Sequence, residues 1–443
     1  MAVAIRTDRS SWAIHSPLHN KLAHEDRPIH AWYRFVLSFP PHLVDDYLSD
    51  FSVKPGMTVL DPFCGTGTTL VEAKKQGIAN VGLEANPMAA LASEVKTDWS
   101  VEPDSLRSWA DRVAMRSIQE CEKNGINPTA VREGQIAEAQ SLYGLRALEQ
   151  SQSELLLQGS ISSLPLHRCL TLRHHIADAP ARIQKHLLLA LAWVAVSEAG
   201  NIRFGPEVGI TPPKLDAPVF ESWRAQVHRM ADDLTECRHR ADTSSEVLLA
   251  DAREPNGHIA PGSIDAVFTS PPYPNEKDYT RTTRLESVLL GLLTSKSELR
   301  RFKEGLLRSN TRNVFVRDAD DLHVQDNTEI QRIAGDIERK RNELGKTSGF
   351  ERLYHRVAKL YFGGMARHFA ELRIYLKPGA MLGYVVGDQA SYLQVMIRTG
   401  QLLAGIAESL GYEHVRTDLF RTRLATATRE QLREEVVVLR WNG

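Results

Sequence analysis

The sequence has few cysteines, and those it has are scattered: Cys64, Cys121, Cys169 and Cys237, with no Cys-x-x-Cys pair. That spacing excludes the usual zinc-site and disulfide frameworks and fits a reducing compartment, so a cytoplasmic protein without a metal is expected. No long apolar run is present. The most apolar stretch, Leu187 to Val196, is too short to cross a bilayer and reads as a buried helix. Residues 1 to 16 carry no apolar core of a secretory signal. No charge of one sign dominates: the formal net charge is −1 over 443 residues, so any nucleic-acid-binding face has to be local. There is no Gly-Lys-Ser/Thr, which excludes a P-loop for a triphosphate.

Two loops are present in their place. The first follows the apolar strand Met57-Thr58-Val59-Leu60: Asp61-Pro62-Phe63-Cys64-Gly65-Thr66-Gly67-Thr68-Thr69, then a helix from Leu70 to Gln76. Strand, glycine-rich turn and helix are the context for nucleotide binding, because glycines let the backbone turn tightly and approach a ligand closely. A second strand, Asn80 to Leu83, ends in Glu84, close to the ~20-residue interval between glycine loop and ribose-binding carboxylate in doubly wound folds. The second loop, Thr269-Ser270-Pro271-Pro272-Tyr273, follows the apolar run Ile264 to Phe268. Two prolines cannot continue a central strand, so the strand ends at Ser270 and a stiff loop begins where ligands of open α/β sheets bind. A hydroxyl, rigid carbonyls and the flat face of Tyr273 suit a planar ring bearing an exocyclic amine.

The wording of these loops resembles the amino-methylating DNA methyltransferases, and Ser-Pro-Pro-Tyr is similar to the branch acting on cytosine N4. Relatives acting on adenine usually carry Asp or Asn at the position of Ser270. The resemblance covers the core alone. It implies a Rossmann-like α/β methyltransferase fold, S-adenosylmethionine as cofactor, and double-stranded DNA as substrate, with the target base flipped out. It further implies that Asp61, Phe63, Cys64, Gly65, Thr66 and Gly67 contact the amino-acid end of the cofactor. Glu84 would take the ribose, with Asn86 and Pro87 beside the adenine. Asp251 and Ala252, after the strand Glu246 to Ala252, would border the adenine, although Asp251 could equally cap a helix. Ser270, Pro271, Pro272 and Tyr273 would form the catalytic loop. Cys64 is read as a wall residue: the cytosine-C5 enzymes place their cysteine in a Pro-Cys loop, a dipeptide missing here.

Two insertions interrupt that core, giving segments 1–100, 246–273 and 351–443 of core, 101–245 helical, and 274–350 basic. In the first, Leu106 to Glu122, Thr129 to Gln158, Ala181 to Ala199 and Pro218 to Arg238 read as helices, broken by the loop Gly205 to Gly209. His167, Arg168, Arg173, His174, His175 and Arg182 read as a solvated basic face, with a phosphate contact as the alternative. In the second, residues 277 to 317 hold ten Lys or Arg against four Asp or Glu, an excess of +6. Asn275, Lys277, Tyr279, Arg281 and Arg284 are the candidate substrate contacts, because phosphates need positive charge beside the base pocket. A helix from about Tyr392 to Leu410 and two closing strands complete the core. The rival readings are an adenine-N6 or RNA amine methyltransferase and a non-catalytic binding module. A restriction or defence partner would be a separate chain.

Overall fold

The computed structural model describes residues 5–6, 22, 24–34, 38–129, 144–205, 207–255, 257–274, 277–424 and 431–443. Seven strands make the body of one sheet: β1 (Thr58–Asp61), β2 (Ala79–Glu84), β3 (Ser245–Leu249), β4 (Ile264–Thr269), β5 (Leu376–Gly387), β6 (Glu413–Leu424) and β7 (Gln431–Trp441). Their order is β3-β2-β1-β4-β5-β7-β6, with the two-residue strand Ile5–Arg6 beyond β6. β7 alone runs antiparallel, inserted between β5 and β6. The order reverses between β1 and β4, which pair through Val59 and Ala266. Both functional loops therefore leave the carboxyl ends of adjacent strands at the switch point, where such sheets bind ligands.

The period of two along each strand sorts side chains to the two faces. Val59, Ala266, Phe268 and Val385 pack on helix α1 (Pro41–Asp50) through Leu43, Val44 and Tyr47. Leu60, Val267, Leu382 and Tyr384 face the opposite layer. Helix α2 (Thr68–Lys75) follows the glycine loop, and α3 (Pro87–Thr97) follows β2, started by Pro87 and capped by the Asn86 side chain on the Met88 N–H.

The first insertion supplies α4 (Pro103–Lys123), α5 (Ser163–Ile176), α6 (Ala181–Val194) and α7 (Val219–Cys237). They share one apolar cluster with Met88, Ala92 and Val95 of α3 and with Trp32 and Tyr33. The apolar run from Leu187 is thus a buried helix, as its composition implied. Between Thr129 and Gln158 the described residues hold one short helix, Gln150–Ser153, rather than the long one expected; residues 130–143 lie outside the described set. The second insertion supplies α8 (Arg284–Leu289), α9 (Lys296–Glu304) and α10 (Thr328–Glu343). α10 buries Ile330, Ile333 and Ile337 against α11 (Tyr354–Leu372). The last helix, α12, spans Thr399–Ser409. Its expected first turn is instead a loop, closed by pairing of Gln389 with Ile397, in which Leu393 and Gln394 take φ of 53° and 61°. No described helix is long and apolar enough to cross a membrane.

Candidate functional site

A cavity of about 930 Å³ opens at the switch point. Phe63, Cys64, Gly65 and Thr66 line one side, Glu84 and Asn86 the next, Asp251 and Ala252 a third, and Ser270 to Tyr273 the far end. Its size is that of a small-molecule site.

The glycine loop is held by carboxylates. Asp61 is buried and accepts from Thr269 Oγ1 at 2.6 Å and from the Phe63 N–H at 3.1 Å. Burial pushes its carboxyl up to about 6 against those bonds. Glu84 accepts the Gly65 N–H at 2.8 Å with one oxygen and the Asn86 N–H at 2.7 Å with the other; burial pushes it up to about 7. Gly67 has φ 84°, and a Cβ there would lie 3.0–3.2 Å from Ser93. Ser93 in turn donates to the Gly65 carbonyl at 2.8 Å. A Cβ on Gly82 would fall 2.8 Å from Cys64 Sγ. Cys64 is buried, with its thiol raised by that burial, and is a wall of the loop. On the loop's open side, nothing lies within 4 Å of a Cβ built on Gly65. A carboxylate bonded to two backbone N–H groups, beside a bare stretch of backbone facing a cavity, fits the ribose and amino-acid ends of an adenosyl sulfonium cofactor.

At the far end Ser270 Oγ donates to the Val385 carbonyl at 3.0 Å. A carbonyl can only accept, so the serine proton is committed there and its lone pairs are left to accept. The Tyr273 hydroxyl is hydrogen-bonded to Ser270, and burial raises that phenol. The Tyr273 ring edge rests against Gly387. Tyr279 lines the cavity and reaches the Tyr273 backbone with its hydroxyl; burial pushes it up to about 12.

The remaining candidates divide. Lys277 lines the cavity. Asn275 lies outside the described residues. Arg281 stands beyond the cavity lining and pairs with Glu207 at 3.2 Å. Arg284 corrects the expectation of a phosphate contact: it is buried, and its guanidinium donates to the Thr280 and Leu155 carbonyls and to Thr280 Oγ1. The solvated face read over His167 to Arg182 is corrected at its start: His167 and Arg168 are buried, Arg168 against Asp216 and the Ala217 carbonyl. Asp251 lines the cavity, and Arg253 holds its two oxygens at 2.9 and 2.6 Å.

Sequence reasoning missed several residues here. Gln389 and Ser391 line the cavity from the irregular loop after β5. His368 of α11 packs against the Phe63 ring at 5.0 Å and bonds the Ala252 carbonyl at 2.8 Å and the Tyr384 hydroxyl at 2.7 Å. Burial lowers it to about 4, so it is neutral there. A lone histidine on an apolar helix gives no sequence signal of this kind. Away from the cavity, Glu120, His174 and His175 bring ligand-type atoms within 4.8 Å of one another, but Arg146 also holds Glu120 at 2.8 Å.

This strand order, with a glycine loop after β1 and a carboxylate ending β2, is a Rossmann-like methyltransferase fold. The comparisons refine the class. A family model described as DNA methylase, for N6 and N4 methyltransferases, matches residues 8–94. The type II methyltransferase M.BsoBI of Geobacillus stearothermophilus is 26% identical, covering 94% of this chain and 85% of that protein. M.AvaI of Anabaena variabilis is 23% identical, over 91% and 84%. M.MjaII of Methanocaldococcus jannaschii is 38% identical over 69 residues, 15% of this chain and 13% of that one. Together these likenesses support the N4/N6 family of DNA amino-methyltransferases for this chain.

Proposed function

We propose that the chain methylates the exocyclic N4 amine of cytosine, by direct transfer to a base flipped from duplex DNA into the cavity. The observation that carries this reading is Ser270, whose hydroxyl proton is taken by Val385 and whose oxygen is left as an acceptor beside the cavity. Bound S-adenosylmethionine supplies an electrophilic sulfonium methyl. Glu84, the loop from Phe63 to Gly67 and Asp251 with Ala252 are the residues that would hold it.

The chain's own residues then have three tasks. Ser270 Oγ and the Pro271 carbonyl accept the amine hydrogens, which turns the nitrogen lone pair toward the methyl group and stabilises charge as the N–C bond forms. Pro271 and Pro272 hold both acceptors still, because their φ angles are fixed. Tyr273 walls the ring, and its hydroxyl bond steadies Ser270. The surplus amine proton leaves to solvent after transfer, and no covalent bond to Cys64 is needed. Lys277, Tyr279 and Arg281 would meet the DNA around the extruded base.

The test is incubation with labelled S-adenosylmethionine and mixed-sequence duplex, followed by digestion to nucleosides. Labelled N4-methylcytosine is expected. Labelled N6-methyladenine would overturn the reading of Ser270 and leave the fold and family in place.

A further inference from the structure

We propose that Arg281 and Arg312 form a DNA-phosphate site at the rim of the cavity, and that the free protein keeps this site filled with its own carboxylate, Glu207. The proposal rests on the duplex being the substrate. Glu207 comes from the loop between two short antiparallel strands, Ile202–Arg203 and Gly209–Ile210, which belong to the helical insertion. The two arginines come from the basic insertion. Glu207 lines the cavity, yet its side chain is 56% exposed, which places it at the rim.

The geometry is that of a small anion between two guanidinium groups. Arg312 Nη1 meets Glu207 Oε1 at 3.1 Å and Oε2 at 3.4 Å, and Arg281 Nη1 meets Oε2 at 3.2 Å. A phosphodiester offers a like pair of anionic oxygens, one for each guanidinium. The Arg312 guanidinium lies 5.3 Å from the centre of the half-exposed Phe350 ring. Charge around it is in excess: Arg284 lies within electrostatic reach of Arg281, and Lys303 of Arg312, while Asp278 is the acidic group answering both. Of the two carboxylates among these cations, Glu207 is on a separate insertion.

The other arginines of the basic segment do not share this arrangement. Arg300 and Arg317 pair with Glu304, and Arg308 with Asp318, all within their own insertion. The Glu207 pairs cross between insertions, and both arginines remain more than a quarter exposed. Exposed pairs of this kind are weak and readily exchanged. A backbone phosphate arriving with the target base would take both arginines, release Glu207 and free the rim.

The experiment measures binding of a fluorescein-labelled mixed-sequence duplex to the full chain across a range of KCl concentrations. It compares wild type, Glu207→Gln, and the double variant Arg281→Ala with Arg312→Ala. Glu207→Gln should bind roughly two- to fivefold tighter, the change expected for release of an exposed ion pair. The double variant should bind more weakly, with a slope of log K against log salt reduced by about 2. Unchanged or weaker binding by Glu207→Gln overturns the proposal, as does a double variant with the wild-type slope. If Glu207→Gln alters S-adenosylmethionine affinity alone, measured by calorimetry, the carboxylate belongs to the cofactor pocket and the proposal also falls. Wild type that labels duplex while ignoring Glu207→Gln removes the phosphate site only. Wild type that neither binds nor labels duplex removes the DNA reading as well.

Discussion

Replacing Ser270 by alanine separates catalysis from cofactor binding. In the free chain its oxygen has two neighbours, the Val385 carbonyl at 3.0 Å and the Tyr273 hydroxyl. Removing it leaves the carbonyl short of one donor, a stability cost of about 1 kcal/mol. The larger effect falls on the transition state, where the lost acceptor no longer stabilises charge growing on the amine. Deleting one preorganised hydrogen-bonding group of this kind costs about 2.7–4 kcal/mol, or roughly 10²–10³ in kcat. The cofactor side is anchored by other atoms: Asp61 by Thr269 Oγ1 and the Phe63 N–H, Glu84 by the Gly65 and Asn86 N–H groups. None of these bonds passes through Ser270. The expected outcome is a fall in kcat of about two to three orders of magnitude with an unchanged Kd for S-adenosylmethionine. Initial rates of label transfer at saturating duplex give kcat, and calorimetry gives Kd. A kcat loss of less than about tenfold, equivalent to 1.4 kcal/mol, would refute the reasoning. So would a Kd that weakens in step with kcat.

Three further outcomes follow from the same geometry. Glu84 sits at about 7 in the folded chain, above its ordinary value, so its protonated form favours folding below that ordinary value and the contribution is lost as pH rises through about 7. The melting temperature of the ligand-free protein should therefore fall across that window, and Glu84→Gln should flatten the fall; parallel profiles would exclude Glu84 as its source. Gly67→Ala should destabilise by about 1–2 kcal/mol for the left-handed conformation alone and weaken cofactor binding by pushing on Ser93, read by thermal melting and calorimetry. Gly363→Ala should cost about 1–3 kcal/mol or more, because the new Cβ overlaps the Asp320 carbonyl; a melting temperature equal to wild type would refute the close packing of α11 on that segment.

The parts of the site written in local sequence were readable. Strand, glycine loop and helix at residues 58–75, the carboxylate ending β2, and the proline-stiffened loop after β4 depend on neighbours a few positions away, and the structure brings them to one cavity. Charge was not readable in the same way. Ten cations between 277 and 317 suggested a broad phosphate face, but Arg300, Arg317 and Arg308 pair with nearby Glu304 and Asp318, and others have partners far away in sequence or inside the fold: Glu207 for Arg281 and Arg312, backbone carbonyls for Arg284. A count of charges cannot see a carboxylate on another insertion. The loop after β5 was missed for another reason. Its left-handed residues are Leu393 and Gln394, so no glycine marks the turn, and a helical pattern was read through it.

The basic insertion is coupled to the Asp251 side of the cavity by a buried arginine. Arg253 is 5% exposed. It grips Asp251, which lines the cavity, and reaches Asp320 of the insertion with its other nitrogen. A charge buried this deeply is tolerated only while both carboxylates stay in place, since breaking such a pair costs about 3–5 kcal/mol. Asp320 is in turn pinned by geometry: its backbone sits against Gly363, where α11 has no Cβ, and Arg367 of the same helix pairs with its carboxylate at 3.5 Å. Movement of the segment around Asp320 would therefore be felt at Asp251 through a single side chain. The consequence is a division within the insertion. Its Asp320 end is tied to Asp251 by a buried network, and α8 is packed into the helical insertion through Leu285, Leu289 and the Arg284–Leu155 bond; the bonds that Arg281 and Arg312 make to Glu207 are the exposed, exchangeable ones. A phosphate that displaced Glu207 would therefore exchange side-chain pairs at the rim while α8 and the Asp251 side stay packed in place.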